Sequence, residues 1–241
     1  MSTTKHTSSR NNRSIVWSIL AAALTIILAI APAQAHHPGA ELDKVMGDKE
    51  KFFETKDKPA PAFKLMNRHG EIVGLSDFAD NILVVHFVYT SCPDVCPLHA
   101  EKIQEIQTMI NASPMKEIVQ FVTITTDPKT DTPEVLHTYG ENHGLDPANW
   151  TFMTAAPEQA EDTTRQLAET FGHKFVKSDD GYQTHGVVTH VIDRGSRWAG
   201  NFHGLRFNSV NMVLYINGLI NKPPEAKTDR GWFEKLRGVF N

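Results

Sequence analysis

The run Ile82-Leu83-Val84-Val85-His86-Phe87-Val88-Tyr89 constrains this chain more than any other stretch. It is nearly continuous in apolar, β-branched and aromatic residues and shows no polar alternation, so both of its faces must be covered. A strand of that kind belongs in the middle of a sheet with layers packed on each side. Ile118 to Ile124 reads the same way, and Trp150 to Met153 and Val187 to Ile192 are shorter runs of strand character. Helical patterns separate them. Ile103, Ile106 and Ile110 make one apolar stripe. Asp131-Thr132-Pro133-Glu134 opens a further helix with a polar cap, Pro at the first position and an acid in the first turn, and Gly144 is its stop. Residues 157–171 are expected to be helical up to Gly172, and 209–220 form a last helix. Phe63, Leu65, Ile72, Val73 and Leu75 flank Asn67-Arg68-His69-Gly70, which reads as a hairpin. Further turns are expected at Asp179-Asp180-Gly181 and at Arg194-Gly195, the latter leading into a strand from Trp198 to Phe202. Strands alternating with helices imply an α/β fold with a mixed, mainly parallel central sheet.

The ends are different in kind. Lys5, Arg10 and Arg13 precede an apolar run from Ile15 to Ala31 and the small-residue pattern Pro32-Ala33-Gln34-Ala35. Charged start, apolar middle and small-residue end read as a secretory signal peptide over residues 1–35, with an uncleaved membrane anchor as the alternative. Export would place the protein in a periplasm or on the outer face of an inner membrane. Removing the segment's three cations takes the formal charge from −4 to −7, which excludes a nucleic-acid binder, since that needs a basic face. Residues 36–58 read as a polar arm, 59–221 as the single folded domain, and 222–241 as a Pro-Pro linker followed by a tail. In that tail Trp232, Phe233, Leu236, Val239 and Phe240 make an apolar helical face, which would touch a membrane or a partner, or pack back on the domain.

The chain has two cysteines, Cys92 and Cys96, immediately after the central strand and before a helix. A bridge between residues so close in sequence closes almost no loop and adds little stability, so the pair is chemical rather than architectural. A cysteine pair between strand and helix in such a pattern suggests a thioredoxin-like, three-layer arrangement. Two thiolates near a helix start can exchange with a disulfide or hold a soft metal ion. Dedicated redox catalysts of that fold have two intervening residues where this chain has three, and the spacing alone leaves metal binding and redox chemistry evenly matched. The spacing expected of a zinc ribbon is absent.

Val88-Tyr89-Thr90-Ser91-Cys92-Pro93-Asp94-Val95-Cys96-Pro97 resembles the copper-binding loop of the Sco/SenC family. Asp127-Pro128-Lys129-Thr130-Asp131-Thr132-Pro133-Glu134 resembles the family's helix-opening element, and His185-Gly186-Val187-Val188-Thr189-His190-Val191-Ile192-Asp193 its copper-ligand segment. These three ordered elements lie within about residues 59–220. The resemblance implies that Cys92, Cys96 and His185 hold copper, as Cu(I) or Cu(II). It implies a metallochaperone serving the copper-centre subunit of cytochrome c oxidase or another copper or thiol protein, or acting in periplasmic copper homeostasis. The alternative is a thiol–disulfide oxidoreductase with Cys92 and Cys96 as its redox-active pair. On the loop, such a site is expected to stay open for ligand exchange.

Other candidates are read residue by residue. His86 is expected to be a buried neutral imidazole with one hydrogen-bond partner, His190 to be structural or to support a ligand from behind, and His99 to be solvated, an approach to the site from the helix being its alternative. Asp94 is expected to be a solvated loop acid, and Asp127 and Asp131 to cap and shape backbone rather than catalyse. His36 and His37 would offer a secondary copper(II) site if cleavage after Ala35 freed an amine at His36, a disordered arm being the alternative.

Overall fold

The computed structural model describes residues 38–177, 183–184 and 186–221. The signal-like segment, His36, His37, His185, the expected turn at Asp179-Asp180-Gly181 and the tail from residue 222 lie outside them. The described elements are helix α1 (Pro38–Lys49), strands β1 (Phe53–Pro59), β2 (Lys64–Asn67), β3 (Ile72–Gly74) and β4 (Ile82–Val88), helix α2 (Val95–Asn111), β5 (Val119–Thr125), α3 (Pro133–Asn142), β6 (Trp150–Thr154), α4 (Thr163–Thr170), the short strands β7 (Val176–Lys177) and β8 (Gln183–Thr184), β9 (Val188–Asp193), β10 (Arg197–His203) and α5 (Ser209–Asn221).

One sheet of eight strands runs in the order β1-β10-β9-β4-β5-β6-β2-β3, with β7 and β8 paired separately. β4 is buried along its whole length, as its composition demands. Its alternate residues feed two cores. Ile82, Val84 and Val88 face α1, α2, α3 and α5 through Met46, Ile103, Ile106, Leu136 and Ile216. Leu83, Val85 and Phe87 face the other layer, where Leu167 and Phe171 pack with Trp198. The result is the three-layer, thioredoxin-like arrangement expected.

The sheet is mixed, but less parallel than the sequence suggested. Only β4–β5 and β5–β6 pair in parallel; β1–β10, β10–β9, β9–β4, β2–β6 and β2–β3 are antiparallel. The two hairpins account for much of this, since tight turns join only antiparallel neighbours. A second difference is at the front of the domain. Residues 38–58 are not a loose polar arm: α1 inserts Met46 into the core, and β1 is an edge strand on β10. That strand is polar because it is held by backbone pairing with most side chains in solvent, so it carries almost no apolar signal. The third difference is α4, which starts at Thr163 rather than near 157. Gln159 spends its side chain upstream instead, accepting from the Ala156 N–H at 2.8 Å and donating to the Lys64 carbonyl at 2.9 Å. Its expected stop holds, with Gly172 at φ +88°.

Candidate dithiol site

The chain leaves β4 at Val88, turns with the Cys92 N–H donating to the Tyr89 carbonyl at 3.1 Å, and enters α2 with Cys96 in its first turn. Asp94, at the helix N-cap, is exposed and makes no side-chain cap bond. The amide donors at the helix start are therefore left for sulfur. Cys92 accepts from the Asp94 and Cys96 N–H groups, from the Cys96 thiol and from the Tyr89 side chain. Burial pushes its acidity the other way, but these bonds outweigh it and hold the thiol below its ordinary value. Cys96 is the opposite case. Burial drives it far up, its S–H is committed to Cys92, and the charges of Cys92 and Asp131 add to the effect against one opposing backbone bond from Tyr89. Both are free thiols and both are buried, Cys92 at 7% and Cys96 at 3% exposure. The site is thus covered, not open as expected, because the pair packs into the core that holds Tyr89, Tyr139 and Phe152.

The helix-opening element clamps this loop. Asp131 is fully buried and accepts from the Thr90 N–H at 3.2 Å, from the Thr90 hydroxyl and from the Thr125 hydroxyl. Thr125 Oγ1 in turn accepts from the Asp127 N–H at 2.9 Å, and the Asp131 N–H donates to the Asp127 carbonyl at 3.0 Å. One carboxylate so ties the residue before the cysteine loop to the end of β5. Burial raises the Asp131 carboxyl above the usual range, Asp127 adds to this, and the Thr donors oppose it. Asp131 shapes backbone through its carboxylate, as read from the sequence, whereas Asp127 takes part through its own N–H and carbonyl.

The histidines diverge from one another. His86 is fully buried, bonds Thr123 Oγ1 through Nε2 at 3.1 Å and, among the described residues, leaves Nδ1 without a partner. That matches the expected one-partner neutral imidazole. His99 is not solvated: it is 2% exposed, meets Thr189 Oγ1 at 2.9 Å and lies 4.9 Å from the His86 ring. Its place one turn after Cys96 on the inner face of α2 put it there. His190 is structural, as read, sharing Nε2···Nε2 at 3.0 Å with His173 and Nδ1 with Asn201 at 2.8 Å. Sequence reasoning missed His173, Asn201, Tyr89 and Tyr139. Only Tyr139 carried a readable signal, its three-residue spacing from Leu136 on the buried stripe of α3.

β9 runs antiparallel beside β4, with His86 opposite Thr189. The start of β9 therefore lies at the same end of the sheet as the end of β4, where the cysteines begin. Among the described residues no group of three or more His, Cys, Asp or Glu side chains is placed to hold a metal. The donor set here is a soft pair: two free sulfurs, hydrogen-bonded to each other and met by backbone N–H groups, which suits Cu(I) better than a hard cation.

Residues 54–220 match the family model described as SCO1/SenC. This chain belongs to the SCO1/SenC family. Among similar proteins, the SCO2-like protein of Rickettsia prowazekii is 30% identical over 154 residues, covering 63% of this chain and 73% of the relative. BsSco, described as a Sco-family cytochrome c oxidase assembly protein with a disulfide switch, superposes with a TM-score of 0.61 at 18% identity, over 70% of this chain and 96% of that one. Yeast Sco1 with copper bound superposes at 0.58 and 20% identity, over 73% and 98%. At such identities the superpositions speak for the fold, which is that of the SCO1/SenC proteins.

Proposed function

We propose that this SCO1/SenC protein carries copper as cargo, bound by Cys92, Cys96 and His185, and hands it to a partner by stepwise ligand exchange. The observation that carries the reading is the pair of free, mutually hydrogen-bonded thiols at the strand–helix junction. Family membership supports it, as does the copper bound by yeast Sco1. His185 is drawn from the match of its segment to the family, and the placement of the start of β9 beside the end of β4 supports it. Copper binding replaces the proton of each thiol, so affinity falls in acid, where protons compete for both sulfurs and the imidazole. A Cys92–Cys96 disulfide removes both sulfur ligands and abolishes it. The partner we favour is the copper-centre subunit of cytochrome c oxidase, with another copper or thiol protein in a homeostatic role as the alternative. The amino-terminal segment supports export to a periplasm or the outer membrane face, and the tail from residue 222 supports contact with a membrane surface, which vesicle co-sedimentation tests.

The test is copper stoichiometry on reduced, anaerobic protein, wild type beside His185→Ala. One tight copper per chain in wild type, weakened by the substitution, is expected. No tight copper in wild type sinks the reading.

The unequal acidity of the two thiols favours one second reading, a thiol–disulfide oxidoreductase. Cys92 as thiolate attacks one sulfur of a partner disulfide and expels the other as thiolate. Cys96 then loses its proton and attacks Cys92, releasing the partner's second thiolate. Two electrons pass to the partner and this chain ends as the disulfide. His185→Ala leaves that exchange intact, which separates the two readings.

A further inference from the structure

β7 and β8 lie between α4 and β9 and, among the described residues, pair only with each other. A ribbon of two residues a side does not hold itself in water, so its root must be held. The two roots are His173, just past the end of α4, and His190 in β9. Their rings meet: Nε2···Nε2 is 3.0 Å, and the ring planes are nearly perpendicular with centroids 5.2 Å apart. The neighbours fix which nitrogen donates. The indole N–H of Trp198 only donates, and it reaches Asn201 Oδ1 at 2.8 Å. His190 Nδ1 is 2.8 Å from the same oxygen and must therefore carry a proton. Burial keeps His190 neutral, so its Nε2 is a lone pair and the hydrogen between the two rings belongs to His173 Nε2. Both ends are fixed. The His190 ring stands 4.9 Å from Phe171 and 5.4 Å from Trp198, and the His173 ring 5.0 Å from Phe87, between centroids. The His173 N–H closes the end of α4 on the Ala168 carbonyl at 3.0 Å, after Gly172 at φ +88°. Beyond it, Phe175 packs on the same core. Two apolar side chains would fill this space without burying polar nitrogens; a directed bond between rings of fixed tautomer instead selects one arrangement.

We propose that the His173–His190 bond anchors the β7–β8 hairpin to the sheet, and that His173 is thereby a positioning residue for His185. This rests on the copper reading above. Thr184 ends β8 and is followed directly by His185. Val187 is already held to the sheet, its carbonyl accepting from the Gly204 N–H at 2.8 Å. The chain on either side of His185 thus has two attachments. The one toward β9 belongs to the main sheet. The one toward β8 is only as firm as the hairpin, and the hairpin only as firm as its root. With the root closed, the chain that carries the ligand is confined before metal arrives, and less ordering remains to be done on binding. With the root open, the same ligand must be gathered from a wider range of positions.

The experiment compares wild type, His173→Phe and His173→Gln, each reduced and anaerobic. Phenylalanine keeps a ring against Phe87 and removes the donor, whereas glutamine keeps an N–H for His190. Native-state amide exchange on metal-free protein is expected to run about tenfold faster at β7 and β8 in His173→Phe, the loss of one buried hydrogen bond, and close to the wild-type rate in His173→Gln. A bond that supports the core but not the hairpin would speed exchange in β4 and β5 and leave β7 and β8 unmoved, which overturns the proposal, as do β7 and β8 amides already unprotected in wild type. Cu(I) affinity, by competition with a chromophoric chelator, should fall about three- to tenfold in His173→Phe, and the difference should vanish when both proteins also carry His185→Ala. A difference that persists there overturns the link to His185. Wild type that binds no copper fails the copper reading itself, and amide exchange then decides the anchor alone. Wild type and His173→Phe that bind copper equally fail this inference and leave the copper reading standing.

Discussion

Cys92 and Cys96 are the same residue type four positions apart, yet what surrounds each sulfur gives them opposite chemistry. Hydrogen bonds at the helix start keep Cys92 below the ordinary thiol value of 9.0, while burial and neighbouring charge push Cys96 far above it. Limited iodoacetamide at pH 8 on the reduced protein is therefore expected to label Cys92 at least about tenfold faster than Cys96, scored by peptide mapping. Because the Cys96 S–H is the largest of the bonds holding Cys92 down, Cys96→Ala should move the pH midpoint of Cys92 labelling upward; an unmoved midpoint would show that the backbone donors suffice. Asp131 is legible in another way. Its folded carboxyl titrates above its ordinary value of 3.8, so the fold binds more protons than the unfolded chain in the window just above that value. Stability must then fall as pH rises through that window. Asp131→Asn, compared with wild type by urea unfolding across pH 4 to 6, should lack that fall whatever its effect on absolute stability. The motif around Asp131 could be read from sequence as shaping backbone, but its reach to Thr90, 41 residues away, is a tertiary fact that no local spacing contains.

Elements declare themselves in sequence when their stability comes from apolar side chains, and stay hidden when it comes from backbone. β4 and β5 are buried on both faces and were plain from composition; α2 followed from its isoleucine stripe. α1 and β1 were not, because a few scattered apolar residues (Leu42, Met46, Phe53) and an edge ladder hold them. The parallel content was over-read for a related reason: alternation of strand and helix predicts crossovers, whereas register and strand order are set by contacts far apart along the chain. Helix α3 shows how packing can reverse a local preference. Glycine inside a helix usually costs about 1 kcal/mol relative to alanine, so Gly140→Ala on propensity alone would stabilise. Here the added Cβ would lie 2.2 Å from the rigid Trp150 ring. Overpacking of that order costs about 1–3 kcal/mol, and Gly140→Ala is expected to destabilise by an amount in that range in denaturant titration. A gain in stability would mean that α3 can slide on β6.

The molecule as a whole carries a cost in acid that is separate from the copper chemistry proposed for it. His86 and His190 are both fully buried. Burial first, and then neighbouring imidazoles (His99 and His190 for the former, His173 and His99 for the latter), hold them neutral well below the ordinary histidine value of 6.5. Asn201 accepting from His190 opposes this only in part. The unfolded chain takes up these protons near pH 6.5 and the fold does not, so the unfolded state binds more protons and stability drops as pH falls below that value. Each such histidine adds a slope approaching about 1.4 kcal/mol per pH unit, so the pair adds up to about 2.7. A domain whose total stability is about 5–15 kcal/mol should therefore weaken measurably by pH 5. The carboxyl of Asp131 has the opposite sign at lower pH and reduces the net effect there. Metal-free dithiol protein isolates the fold's own response, since no cargo then competes with protons. Urea unfolding at pH 7, 6 and 5 should show the loss, and His86→Gln, which keeps a polar partner for Thr123, should reduce the slope below pH 6 by about one histidine's share. If the slope is unchanged in that variant, His86 takes up its proton inside the fold, and the free Nδ1 must find an acceptor when it does. Copper release in acid would then be measured on a scaffold that tolerates acid, and its pH dependence could be assigned to the proposed ligand set alone.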